Sequence, residues 1–75
     1  MTNLDLDSCR QQYKEAVERW VAAIRAEEAL ATPDHSETAM ERWDDAALAE
    51  DGARREAKKA RDRYQDALRK ANFNF

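Results

Sequence analysis

Residues 39–71 read AMERWDDAALAEDGARREAKKARDRYQDALRKA. Stepping alternately by four and three gives Ala39, Trp43, Ala46, Glu50, Ala53, Ala57, Ala60, Tyr64, Ala67 and Ala71. The rhythm holds without a slip. It predicts one long helix with a narrow, alanine-rich seam suited to a second helix. Gly52 falls inside this stretch, yet Ala46 and Ala53 keep the seam in phase across it. Glu50 with Arg54 and Asp51 with Arg55 also span it at the i,i+4 spacing that supports a continuous helix.

Upstream, Thr32-Pro33-Asp34-His35-Ser36 breaks the pattern. Pro33 disfavours helical geometry at Thr32 and is welcome in a first helical turn. Thr32 is one cap for the second helix; Asp34, with Glu37 three residues later, is the other. The second helix is expected over about 36–71, acidic at its start and basic at its end, as the helix dipole prefers. The tail at 72–75 carries Phe73 and Phe75, expected to fold back on the end of the bundle.

Before the break, Leu6, Cys9, Tyr13, Ala16, Trp20, Ala23, Glu27 and Leu30 repeat the same spacing. They predict a first helix over about 6–31. A second stripe, Val17, Val21 and Ile24, widens its apolar side beyond what one partner helix covers. A short connection at 32–35 joins antiparallel neighbours. The fold class is therefore all-α: an antiparallel two-helix hairpin with a coiled-coil-like seam. Pivoting about residue 33 sets Leu6 on Ala60, Cys9 on Ala57, Tyr13 on Ala53, Trp20 on Ala46 and Ala23 on Trp43. Large faces small at each level, which lets two helices approach closely and still fill space. Glu50 is the exception, opposite Ala16, and is expected to snorkel out or to bond across to another chain. Tyr64, Ala67, Leu68 and Ala71 have nothing opposite them in this register.

Seventy-five residues allow one domain. Only ten are Leu, Ile, Val or Phe, a poverty that raises disorder as an alternative. The strict periodicity and a net charge of only -3 argue against it. A chain this short, with one cysteine and no metal-binding pattern, has little to staple it except self-association. A homodimer forming a four-helix bundle is expected, with Val17, Val21, Ile24, Met40, Leu48, Tyr64 and Leu68 in its interface. Residues 1–51 hold 13 acidic and five basic residues, whereas residues 52–75 hold three acidic and eight basic. That asymmetry favours two hairpins lying antiparallel, acidic turn beside basic open end.

No arrangement of residues points to catalysis, and no cofactor is expected. The acidic pairs Glu27-Glu28, Asp44-Asp45 and Glu50-Asp51 lack the Glu-x-x-His pattern of a metal bundle, because the single histidine, His35, lies in the turn. Cys9 reads as a seam thiol without a base beside it. The run containing Arg54, Lys58, Lys59 and Arg61 could contact phosphates, although Glu56 and Asp62 interrupt it. No stretch is apolar enough to span a membrane. Asp5 and Asp7 stand where a signal peptide would be positive, so a cytoplasmic location is expected. The function most consistent with these features is protein–protein interaction, as a small adaptor or structural subunit that self-associates or docks a partner helix. Nucleic-acid binding through the basic half of the second helix is the alternative.

Overall fold

The structure, a computed structural model, describes residues 3–31 and 36–73. It is all-helical, with two helices packed against each other as a hairpin: α1 (Asn3–Ala29) and α2 (Glu37–Phe73). The pair forms a rod of 56 × 15 × 12 Å.

The helix bounds differ by two or three residues from those expected, α1 starting and ending earlier and α2 ending later. α1 begins three residues before Leu6, and α2 carries on through Phe73 rather than ending at 71. At its C-terminal end α1 tightens: the Leu30 and Ala31 amides donate to the carbonyls of Glu27 and Glu28, three residues back. Such bonds satisfy carbonyls that the last helical turn leaves open. α2 starts on Ser36, whose Oγ accepts the Ala39 amide at 3.2 Å. Its carbonyl accepts the Met40 amide at 3.0 Å. Ser36 thus performs the capping role expected of Thr32 or Asp34, since a serine hydroxyl reaches the third helical amide with ease. Thr32 to His35 and the end of the tail at Phe75 lie outside the described residues, as does the side chain of Phe73. α2 passes through Gly52 unbroken.

The α1 side of the seam is made of the residues the spacing picked out, whereas on α2 Trp43 and Ala71 of the expected set are exposed. In α1 and just past its end, Leu6, Cys9, Tyr13, Ala16, Trp20, Ala23, Glu27 and Leu30 are all half-buried or buried, joined among the described side chains there by Val17. The fully buried core is alanine throughout: Ala16, Ala57, Ala60 and Ala67. Tyr13, Val17 and Trp20 pack around Ala16, Ala57 and Ala60, so large still meets small.

The register differs from the pivot about residue 33. Tyr13 stacks on Tyr64, with ring centroids 6.2 Å apart, three turns beyond the expected Ala53. Trp20 reaches Glu50, one turn beyond Ala46. Side-chain direction accounts for part of this. Every Cα–Cβ bond leans toward its own helix N-terminus. In an antiparallel pair the two sets lean in opposite senses, so a residue of α1 meets one further along α2 than its backbone level implies. The early start of α1 supplies more cover for the end of α2. Tyr64 and Ala67, expected to be unopposed, are therefore covered within the hairpin, Ala67 to 3% exposure.

Candidate interaction face

The seam uses one side of each helix, and what remains apolar outside it marks the site. Val21, Ile24, Met40, Trp43 and Leu48 are exposed, at 39, 40, 54, 38 and 70% of their surface. Among the described residues no large side chain is fully buried. The chain exposes 5912 Å², against about 4,700 Å² for a compact monomer of its mass. Its radius of gyration is 17.1 Å, where a compact chain of this length has about 11 Å.

Three of these side chains, Val21, Ile24 and Trp43, lie toward the turn on one face. Ile24 and Trp43 line one groove between the helices, with Glu27, Glu28 and Glu50. Val17 and Val21 line a shallow depression on α1, flanked by Glu18 and Arg25. Val17 also borders a narrow groove with Tyr13, Trp20, Ala57, Lys58 and Arg61. The last two share Val17, which puts Val21, Lys58 and Arg61 on one side of the hairpin, and Ile24, seven residues or about two turns past Val17, falls on the same face of α1 and brings Trp43 with it. That face is apolar toward the turn and basic toward the open end.

The expected interface residues separate into groups. Val21 and Ile24 are exposed on this face, and Val17 is half-buried at the edge of the alanine core. Met40 is exposed near the start of α2. Leu48 stands two residues from both Ala46 and Glu50, which turns it to the far side of α2, away from α1. Tyr64 is occupied by Tyr13, and Leu68 is half-buried. Trp43 joins the exposed group although its spacing places it on the seam. The 4-3 spacing carries no signal of this exposure.

Glu50 neither snorkels out nor waits for another chain. Its Oε1 accepts the Trp20 indole N–H at 2.6 Å in a half-buried setting. A charged acceptor makes this stronger than a neutral hydrogen bond.

The basic run is largely paired with acids on its own helix. Arg54 lies 3.7 Å from Asp51, Lys59 3.5 Å from Glu56, and Arg61 3.6 Å from Asp62. Among the described residues Lys58 has no such partner. Nor do three or more His, Cys, Asp or Glu residues of that set gather as metal ligands would. Cys9 is a half-buried free thiol. No described helix is long and apolar enough to cross a membrane.

Compared with protein-family models, with curated proteins and with solved structures, the chain matches none.

Proposed function

We propose that the protein is a self-associating helical hairpin that works as a protein–protein interaction element, an adaptor or structural subunit without catalysis of its own. One observation carries this reading. Among the described residues the side chains fully buried in the hairpin are alanines, while Val21, Ile24, Met40 and Trp43 stay wet. A buried methyl contributes about 0.8 kcal/mol, so four alanines make a weak core for two helices of this length. Stability has to come from apolar surface that the hairpin alone leaves uncovered, and a second copy is the partner always present at equal concentration. Two hairpins joined on this face make a four-helix bundle.

Val21→Glu tests the reading. It sets a charge in the middle of the apolar face without touching the alanine seam. Size-exclusion chromatography with light scattering is expected to move the chain from dimer to monomer. A variant that keeps the wild-type dimer removes this face from the interface.

A second reading is favoured by the groove that sets Lys58 and Arg61 beside Tyr13 and Trp20, since cations next to aromatic rings suit a nucleic-acid strand. It ranks lower because Arg54, Lys59 and Arg61 already sit beside carboxylates. It predicts binding that falls steeply with salt and is lost in Lys58→Glu.

A further inference from the structure

We propose that the second copy docks antiparallel on the Val17, Val21, Ile24 face, with the two-fold axis crossing the hairpin at the level of Val21 and Asp51. The proposal rests on the self-association reading and specifies how the two copies meet.

Three observations converge on that axis. The first is the outer stripe of α1: Lys14, Val17, Val21, Ile24 and Glu28, spaced three, four, three and four. Val21 is its centre. Seven residues before it stands a cation and seven after it an anion, with an aliphatic residue between on each side. Turned end for end about Val21, the stripe lays Lys14 on Glu28 of the second copy and Val17 beside its Ile24.

The second observation lies on α2. Asp44 and Lys58 stand seven residues either side of Asp51, again anion toward the turn and cation toward the open end. The end-for-end turn that satisfies α1 also lays Asp44 on Lys58 of the second copy. A parallel arrangement sets like charge on like at all four positions, which is costly.

The third observation joins the first two. The two centres belong to different helices, and nothing in the sequence requires them to be level. Their packing brings them close to one level: Ala16 packs with Ala57 and Ala60, and going toward the turn Val21 lies five residues past Ala16 while Asp51 lies six past Ala57, a difference of about 1.5 Å along the rod. One axis perpendicular to the rod thus serves both helices at once.

The charges are also uncommitted. Lys14, Glu28, Asp44 and Lys58 are all exposed. Among the described residues none of the four has an ion pair within the hairpin, whereas Arg10, Arg54, Lys59, Arg61 and Arg69 each do. Lys14 and Glu28 are about 21 Å apart along one straight helix and cannot meet each other. They can meet only across two copies.

The test is a charge exchange followed by sedimentation equilibrium at low salt. Lys14→Glu and Glu28→Lys, each alone, are expected to raise the dimer Kd about tenfold or more, since each places two like-charge pairs in the symmetric interface. Mixing the two variants, or combining both changes in one chain, re-forms opposite-charge pairs. Kd is then expected within about threefold of wild type, and high salt narrows all these differences. Single variants that leave Kd unchanged, or a mixture that fails to recover, overturn the antiparallel arrangement. Val21→Glu runs beside them to keep the two claims apart. If it breaks the dimer while the charge exchange fails, self-association through this face stands and the arrangement falls. A wild type that stays monomeric overturns both.

Discussion

Trp20 and Glu50 are joined across the hairpin by a 2.6 Å hydrogen bond from the indole N–H to the carboxylate, the hydrogen bond that fixes how far α1 is slid along α2. Around it the packing is non-directional, because an alanine seam repeats every seven residues and tolerates a slip of one heptad. A bond between two particular side chains does not.

Replacing Glu50 with alanine should therefore cost more than an exposed substitution does. The expected loss is about 1.5–3 kcal/mol, the range for a hydrogen bond to a charged group. Glu50→Gln keeps an acceptor but loses the charge, so its loss should be smaller. Urea unfolding followed by tryptophan fluorescence measures both. A change within about 0.5 kcal/mol for Glu50→Ala would leave the bond without an energetic role.

The alanine core makes an opposite kind of prediction at Ala60. It is 2% exposed and packs with Ala16 and Ala57 beneath Tyr13, Val17 and Trp20. Ala60→Leu adds bulk where the helices have approached because nothing is there. Overpacking of this sort costs about 1–3 kcal/mol. A lowered Tm by circular dichroism is expected. A raised Tm would mean that the seam holds a void the side chain can fill.

Gly52 offers a change in the other direction. A Cβ built there meets nothing within 4 Å, and α2 is continuous through it. Gly52→Ala should raise stability by about 1 kcal/mol through helix propensity and a less disordered unfolded chain. Thermal unfolding checks it, and a fall in Tm would show that α2 uses the flexibility of this glycine.

The seam was legible in the sequence because burial along a helix follows a spacing that can be counted. Leu6 to Leu30 in α1 show this residue by residue. The hairpin followed from Pro33 and the shortness of the connection. The register was not legible. A pivot at residue 33 treats side chains as perpendicular to the axis, whereas Trp20 and Glu50 lean in opposite senses and meet a turn later. Tyr64, which looked unopposed, is covered for the same reason. Three side chains within five residues were competent to cap α2, and propensity did not single out Ser36. The apolar stripe of Val17, Val21 and Ile24 and the reversal of charge after Asp51 were both visible. That their centres stand close to one level depends on how Ala16 packs against Ala57 and Ala60 and could be read only from the folded chain.

The claim on which the rest depends is that an alanine-cored hairpin completes its fold by pairing through the Val21 face. Sedimentation equilibrium of the wild-type chain, across a wide range of concentration and two salt levels, tests it most directly. A dimer mass is expected at micromolar concentration, with dissociation that grows as salt rises. A single species at the monomer mass of 8.7 kDa, fully helical at every concentration, would contradict it.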